Sequence, residues 1–162
     1  MIDFAAETVR IATPDDEATV SALAARLGAI ALPRWRAPDE ISSADARAMM
    51  NAIAAGHADD QVFIAERDGT RLGCLHVHTG TDFFGRQHAH ISVIAVTAEA
   101  EGRGVGRALM AHAEAWACAR GMTLMTLNVF NGNARARRLY ERHGFEPEIV
   151  TYVKPIGQDL GR

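Results

Sequence analysis

A glycine-rich turn between an apolar run and an amphipathic stretch constrains this chain more than any other feature. Residues 91–96 are mostly apolar and rich in β-branched side chains, which predicts a buried strand ahead of the turn. Over 104–120, apolar residues recur every three or four positions, which is the spacing of a helix that packs on one face. They are Val105, Leu109, Ala113 and Trp116. We therefore expect a central strand, a tight turn and a helix.

The turn itself contains three glycines, Gly102, Gly104 and Gly106. Without Cβ atoms, successive backbone amides can approach an anion closely, and the positive end of the following helix adds to the attraction. Arg103 and Arg107 flank the turn and can donate charge-assisted hydrogen bonds. The spacing differs from that of a P-loop, because the Lys-Ser/Thr pair is missing. The turn is interpreted as a phosphate-binding loop, with an ordinary strand-to-helix turn as the alternative.

A second patterned segment covers 133–145. It combines an Asn that can cap a helix, a small residue one turn before a Tyr, and a closing Gly-Phe pair. Its fixed residues are Asn133, Ala136, Leu139, Tyr140, Gly144 and Phe145. The segment predicts a short helix over 134–143 that ends at the glycine.

Together the two segments resemble the GNAT superfamily, the acyl-CoA-dependent N-acetyltransferases. The turn is similar to the family's pyrophosphate loop, Arg/Gln-x-x-Gly-x-Gly/Ala, with Gly104 and Gly106 matched and Glu101 in place of the first residue. Residues 133–145 match the family's Asn-x-x-Ala-x-x-Leu-Tyr-x-x-x-Gly-Phe segment at every fixed position. The resemblance implies acetyl-CoA as acyl donor and direct transfer without a covalent acyl-enzyme. Because the loop binds mainly through backbone amides, we expect Glu101 to be tolerated.

The resemblance also implies where acetyl-CoA binds. In the family, backbone amides polarise the thioester carbonyl where the central strand bulges and splays, which corresponds here to 94–96. A Tyr hydroxyl protonates the leaving thiolate, which makes Tyr140 the candidate acid; core packing with a satisfied hydroxyl is the alternative. The implied cofactor-binding residues are Ile94, Ala95, Val96, Glu101, Gly102, Arg103, Gly104, Val105, Gly106, Arg107, Ala108, Asn133, Ala136 and Tyr140.

The candidate catalytic base is His90. Histone-type relatives place a Glu six residues before the Val that precedes the loop, and counting back from Val96 gives His90. Imidazole suits this role, because its unperturbed pKa of about 6.5 lies near neutrality. Two alternatives stay open: His90 is a polar residue of a wet cleft wall, or ordered water is the base.

The acceptor is expected to be a primary amine of a small molecule. The family builds its acceptor cleft from the loop between the first two helices and from loops near the central strands. The candidate substrate-binding residues are therefore Trp35, His76, Phe83 and Ser92. Phe83 and its neighbour Phe84 are alternatively a dimer contact or local core.

Two other classes of function remain open. The pairs His76/His78 and His88/His90 place imidazoles on one face of predicted strands, as a transition-metal site would require. No carboxylate stands beside them at a reinforcing spacing, and Cys74 is the only nearby thiol, so no metal ligand is assigned. The chain could instead be a non-catalytic acyl-CoA-binding sensor or partner subunit, although the intact Tyr140 segment argues against this.

The remaining patterning completes an α+β fold in one domain, 1–162, of which about 8–153 resembles the family. The expected order is β-α-α-β-β-β-α-β-α-β, a mixed central sheet flanked by helices. Strands are predicted at 8–12, 61–66, 71–79, 90–96, 123–129 and 145–153. A helix capped by Ser42 or Ser43 is predicted to end at Ala55, before Gly56. Asp68-Gly69 predicts a hairpin, and 80–88 is predicted to be a loop.

Charge and cysteine content indicate which partners and which cellular location to expect. Residues 1–60 hold ten acids against five Arg, whereas 103–142 hold seven Arg against two acids, within a net charge of −3. The basic stretch suits an anionic cofactor, and the acidic first third argues against a nucleic-acid partner. The two Cys residues are isolated, which favours a cytoplasmic location, and no apolar run reaches membrane length. A homodimer stays open.

Overall fold

The computed structural model describes residues 7–156. Five strands form one sheet: β1 (Thr8–Ile11), β2 (Asp60–Arg67), β3 (Thr70–Thr81), β4 (Gln87–Val96) and β5 (Met125–Leu127). Within these described residues, the α-helices are α1 (Glu17–Leu27), α2 (Pro38–Ala55), α3 (Val105–Cys118) and α4 (Ala134–Arg142). The strands lie side by side in chain order, antiparallel from β1 to β4 and parallel between β4 and β5. The α+β class with a mixed sheet flanked by helices is confirmed.

An apolar layer covers each face of the sheet. On one face, side chains such as Phe63 and Leu75 pack with Leu109 of α3. On the other, Ile64 and its neighbours pack with buried residues of α1 and α2, including Met49. Alternation along each strand sends successive side chains to opposite faces, which is why one strand supplies both layers. Each large apolar side chain that is fully buried contributes about 1.5–3 kcal/mol.

The turn between β2 and β3 is the predicted hairpin. Asp68 has φ 49° and Gly69 has φ 76°, so both central residues occupy the left-handed region that a type I′ turn requires. The predicted end of α2 is also confirmed, since Gly56 follows Ala55 with φ 63°. In both places a local backbone requirement was visible in the sequence.

The hairpin between β3 and β4 is longer than predicted. β3 continues to Thr81 and β4 begins at Gln87, so the predicted loop at 80–88 is present but shorter, covering 82–86. Asp82 organises the short turn: its Oδ1 accepts hydrogen bonds from the amides of Phe84 at 2.9 Å and Arg86 at 2.8 Å. Because this carboxylate holds the turn closed, the strands can pair up to it.

Helix α2 begins earlier than predicted. Pro38 is the first helical residue, where its missing N–H costs nothing, and the carboxylate of Glu40 accepts a hydrogen bond from the amide of Ala37 at 3.1 Å. Ser42 is therefore inside the helix, and its hydroxyl donates to the Pro38 carbonyl at 3.1 Å instead of capping. Within residues 7–156, no helix, α2 included, is both long and apolar enough to cross a bilayer.

The last predicted strand is wrong. No strand pairing is formed by 145–153 in the described part of the chain. Two of its large side chains, Ile149 and Tyr152, are 67% and 93% exposed. β5 is itself only three residues long, against the predicted 123–129, and so offers a short edge for pairing. Residues with a high β-propensity form a strand only where a neighbouring strand is available to pair with them.

Candidate active site

Strand β4 changes its partners along its length. β3 pairs with it throughout, whereas β5 pairs only with Ala89, His90 and Ile91. Beyond Ile91, the β5 side of β4 has no neighbouring strand among residues 7–156. The two strands therefore splay apart and leave a gap.

The backbone amides of Ile94 and Val96 face this gap. The amide of Thr97 donates to the Leu72 carbonyl at 2.8 Å, which fixes Thr97 as a residue that faces β3. In an antiparallel pair, alternate residues face the same neighbour, so Val96 and Ile94 present their N–H and C=O groups to the opposite side. This side is an open strand edge, to which an extended ligand could hydrogen-bond as another strand would.

A β-bulge in β4 lies just ahead of the open edge. The register with β3 shifts between His76 and Val77, which leaves Ser92 without a partner in that ladder. The expectation placed the bulge and the splay together at 94–96; the structure places the bulge two residues earlier, at Ser92. The extra residue reverses the alternation, so that even-numbered amides face the gap after the bulge.

The glycine loop and the first turn of α3 follow β4. Gly102 and Gly104 have φ 73° and φ 90°, in the left-handed region that favours glycine. Gly104 precedes α3 without a side-chain cap. The amides of 105–107 therefore meet no hydrogen-bond acceptor in the described part of the chain, while Ala108 already bonds Gly104. Such a cluster of unpaired N–H groups is suited to an anion.

Space and charge in front of this loop also suit an anion. A Cβ atom added at Gly106 would meet no atom within 4 Å, so this side of the helix is open. Arg103 and Arg107 are exposed there, and neither forms an ion pair with any residue of 7–156. Their guanidinium groups are therefore available to a negatively charged ligand.

Glu101, the residue that departs from the family's loop, is held by two arginines. Its Oε1 accepts from Arg26 Nη2 and its Oε2 from Arg135 Nη2, both at 2.8 Å. The hydrogen bond from Arg135, followed by the charges of the two arginines, lowers the pKa of Glu101. The carboxylate thus ties the end of α1 and the start of α4 to the loop, and its charge is compensated locally.

Helix α4 packs Tyr140 on the same face of the sheet as α3. Asn133 caps the helix, its Oδ1 accepting from the Ala136 amide at 3.1 Å. Tyr140 is largely buried, packs edge-on to Phe145 with ring centroids 6.0 Å apart, and lies against the same apolar layer as Ile94. Burial raises its pKa, which keeps the phenol protonated. The hydroxyl has no hydrogen-bond partner within 7–156, so its proton is available to a ligand.

A row of polar residues crosses four strands on the face that carries α1 and α2. Register places Asp60 opposite His78, His78 opposite His90, and His90 opposite Thr126. His90 Nδ1 lies 2.8 Å from Thr126 Oγ1, and the His78 and His90 rings are 5.2 Å apart. His90 is therefore oriented by β5 on one side and bordered by an imidazole on the other.

The surroundings of His90 keep it neutral. Burial, and then the neighbouring imidazoles of His78, His88 and His76, lower its pKa below the ordinary value of 6.5. The His88 ring lies 6.3 Å from the His90 ring. A neutral imidazole with a free nitrogen can accept a proton near neutral pH.

An open cavity of about 700 Å³ adjoins this row. His76, which is 4% exposed, lines it and contacts Asp60 through Nε2 at 2.6 Å. The other ring nitrogen of His76, Nδ1, is buried without a partner among the described residues. Ser92 and Asn51 line the same space. The cavity can receive a polar molecule next to His78, whose ring neighbours that of His90.

Comparison with models of known protein families identifies the family to which this chain belongs. The model of the acetyltransferase (GNAT) family matches residues 25–145. The chain belongs to this family. The match includes the splayed strand, the glycine loop and Tyr140, although the match itself assigns no role to individual residues.

Curated GNAT relatives match a shorter part of the chain. Mycothiol acetyltransferase from Beutenbergia cavernae is 48% identical over 60 residues, which are 37% of this chain and 20% of the relative. Mycothiol acetyltransferase from Jonesia denitrificans is 40% identical over 68 residues, 41% of this chain and 22% of the relative. The matched stretch thus spans about a fifth of the length of these relatives.

Solved structures share the GNAT fold over nearly the whole chain. A GCN5-related N-acetyltransferase from Ralstonia eutropha JMP134 has a TM-score of 0.73 at 19% identity, covering 94% of this chain and 100% of that one. A transcriptional regulator from Bacillus halodurans C-125 has a TM-score of 0.71 at 22% identity, covering 93% and 100%. At such identities the likeness shows the fold alone.

The GNAT fold gathers some of the predicted site residues and separates others. The predicted cofactor residues lie along the open edge of β4, the glycine loop, the first turn of α3, and α4 with its cap. His76 and Ser92 line the cavity, together with His78. Trp35, 36% exposed after α1, and Phe83, 92% exposed at a hairpin turn, do not line it. In the described part of the chain, no group of three or more His, Cys, Asp or Glu side chains is arranged to hold a metal ion.

Sequence reasoning missed two polar residues of the row in this GNAT chain. Asp60 opens β2, and Thr126 is the middle residue of β5. Neither belongs to a motif, and both depend on strand register for their position. The position of Asp60 could have been predicted in part. Asp60 directly precedes the predicted strand 61–66 and is two residues before Val62, so both side chains lie on the same face of the sheet.

Proposed function

We propose that this chain is an N-acetyltransferase that moves the acetyl group of acetyl-CoA directly to a primary amine of a small molecule, within one domain, 1–162. The observation that carries the proposal is the open edge of β4, where β5 departs after Ile91 and the amides of Ile94 and Val96 are left unpaired. The residues 1–6 and 157–162 of that domain lie outside the described part of the chain.

The residues along this edge fit acetyl-CoA in order. The amides of Ile94 and Val96 would pair with the amide groups of the pantetheine arm. Next along the chain, the uncapped first turn of α3 with Arg103 and Arg107 would hold the pyrophosphate. Residues 94–96 and the glycine loop follow one another along the chain, so one extended ligand can satisfy both. The unpaired backbone N–H groups of β4 and of the first turn of α3 would therefore donate hydrogen bonds to acetyl-CoA.

The transfer step needs two proton movements. A bond forms between the amine nitrogen and the acetyl carbon, the C–S bond of the thioester breaks, the amine loses a proton and the departing sulfur gains one. A β4 amide would donate to the carbonyl oxygen as negative charge develops there. The Tyr140 phenol, protonated because of its burial, would supply the proton to sulfur.

The acceptor amine would enter from the cavity side. His90 neighbours His78, which lines the cavity, and is kept neutral by burial and neighbouring imidazoles. It would accept the amine proton at the ring nitrogen that Thr126 does not contact, directly or through water. Donor and acceptor thus approach β4 from opposite faces of the sheet, which supports direct transfer in a ternary complex.

The test is a turnover assay with a panel of small amines. Purified protein, acetyl-CoA and each amine are incubated together, with free CoA thiol and acetylated product measured separately. The proposal expects stoichiometric CoA and N-acetyl product with at least one primary amine. The GNAT family match and the name of the curated relatives support acetyl transfer. Tight acetyl-CoA binding without product from any amine would instead favour a non-catalytic acyl-CoA sensor.

A further inference from the structure

The cavity beside His78 is lined by acidic side chains. Its described lining includes the carboxylates of Asp59 and Asp60 and no Lys or Arg. Asp59 is partly compensated, because Arg120 Nε lies 3.4 Å from its Oδ1. Asp60 contacts only His76, through Oδ1, and its Oδ2 has no hydrogen-bond partner within 7–156. The cavity therefore contains one carboxylate oxygen that is available to a cation.

A second observation concerns an unpaired polar atom of a residue that lines this cavity. The imidazole of His76 is almost entirely buried, yet its Nδ1 has no partner among residues 7–156. Since Nε2 faces a carboxylate, a neutral His76 carries its proton there and leaves Nδ1 as an unmet acceptor. Buried polar atoms are normally hydrogen-bonded, so this nitrogen is expected to meet a donor from water or from a bound molecule.

The sheet register sets the distance between Asp60 and the reacting centre. Asp60, His78 and His90 are directly opposite one another on three adjacent strands. Neighbouring strands lie about 4.8 Å apart, so the backbones at Asp60 and His90 are separated by about 10 Å. An acceptor whose amine reaches His90 can thus extend along the row, past His78, to Asp60.

We propose that the acceptor is a linear diamine or polyamine, with the reacting amine at His90 and a second, charged amine bound by Asp60. This inference rests on the proposed function, since it names the substrate class of the same site. The second amine stays protonated and donates to Asp60 Oδ2. Acceptors with a carboxylate or phosphate in that position are disfavoured, because the cavity carboxylates repel them.

A series of linear amines of increasing length tests the proposal on the wild-type protein. Diamines from diaminopropane to diaminooctane are compared with alkylmonoamines of the same carbon number, at fixed acetyl-CoA. The diamines should exceed their matched monoamines in kcat/KM, with a maximum between diaminobutane and diaminohexane. Equal kcat/KM values for diamine and monoamine at every length would overturn the proposal while leaving N-acetyl transfer intact.

The variant Asp60→Asn isolates the second amine. It keeps the size and hydrogen-bonding capacity of the side chain but removes its charge. For the best diamine, kcat/KM should fall about 10- to 100-fold, mainly through KM, as for loss of a charged hydrogen bond. The matched monoamine should be affected less than about twofold. Asp39→Asn, an exposed carboxylate on α2 outside the cavity, is the control and should change neither. An equal loss for both acceptors would overturn the proposal.

Binding without acetyl-CoA separates this inference from the function on which it rests. Diaminobutane and diaminohexane are titrated calorimetrically into the wild type, Asp60→Asn and Asp39→Asn proteins. Binding to the wild type and Asp39→Asn, weakened at least tenfold in Asp60→Asn, supports the diamine site even if no acetyl transfer is found. Diamine binding that is absent or insensitive to Asp60→Asn overturns the site even if other amines are acetylated.

Discussion

Arg135, at the start of α4, donates a hydrogen bond to Glu101 in the glycine loop at 2.8 Å. The same carboxylate accepts from Arg26 at the end of α1. This contact connects two segments that carry the family's motifs, and it uses the one residue of the loop that departs from the family's pattern. The structure thus explains how an acid is tolerated beside a proposed pyrophosphate site: two cations accompany it.

Removing the charge of Glu101 should therefore change acetyl-CoA binding only slightly. For Glu101→Gln, we expect the dissociation constant measured by calorimetry to stay within about fivefold of the wild-type value, the range of exposed ion pairs. Glu99→Gln, at a nearby exposed acid, is the control. A change of more than tenfold in Glu101→Gln alone would mean that the carboxylate acts on the ligand directly.

The glycine loop gives a sharper prediction, because Gly106 has open space in front of it. Gly106→Val should fold, yet place a branched side chain where the pyrophosphate would lie. In the wild type, acetyl-CoA at a hundredfold excess over its dissociation constant should add about 2.7 kcal/mol to the free energy of unfolding. Gly106→Val should lose this shift, whereas Ala111→Val, on the exposed side of the same helix, should keep it. A full shift in Gly106→Val would reject the loop as the binding site.

Much of this local structure could be predicted because it depends on adjacent residues. The Asp68-Gly69 turn requires two positive φ angles, and few dipeptides supply them. The strand, glycine loop and α3 likewise follow from apolar periodicity and from the glycines between them. Structural features of this kind can be predicted from a few neighbouring residues.

The rest depends on contacts between distant segments. The bulge at Ser92 and the row from Asp60 to Thr126 are set by strand register, which aligns residues of β2 and β5 through the two strands between them. This register pairs residues that are far apart in the sequence, so it cannot be predicted from any short segment. The segment 145–153 fails in the opposite way: its composition favours a strand, but the described chain provides no partner ladder for it.

Tyr140 is predicted to act as the acid that protonates the leaving thiolate. Tyr140→Phe keeps the ring that packs on Phe145 and removes only the hydroxyl. Acetyl-CoA affinity should be retained, while kcat falls by about 10²–10⁴, the usual contribution of a positioned general acid. Tyr152→Phe, at a side chain that is 93% exposed, is the matched control and should be fully active. Full activity of Tyr140→Phe across the pH range would assign the proton to water or another group.

The pH dependence should report on His90, whose pKa is lowered by burial and by neighbouring imidazoles. Only the neutral ring accepts a proton, so kcat/KM should rise with pH through a pKa below the ordinary 6.5. A second rise at higher pH follows from the acceptor amine, which must itself lose a proton. Folding is linked to the same shift: the unfolded chain binds the proton more tightly, so this group's contribution to stability decreases as pH falls below 6.5.

Two substitutions at His90 distinguish proton transfer from positioning. His90→Ala should remove the lower rise in the pH profile and leave the higher one, with acetyl-CoA affinity unchanged. His90→Gln keeps hydrogen-bonding capacity toward Thr126 but accepts no proton at neutral pH, so its kcat should be nearly as low as that of the Ala variant. His143→Gln, beyond α4, controls for loss of an imidazole elsewhere. If Gln restores most of the activity, His90 orients water or substrate; if both variants lose acetyl-CoA affinity, its role is to hold β4 in place.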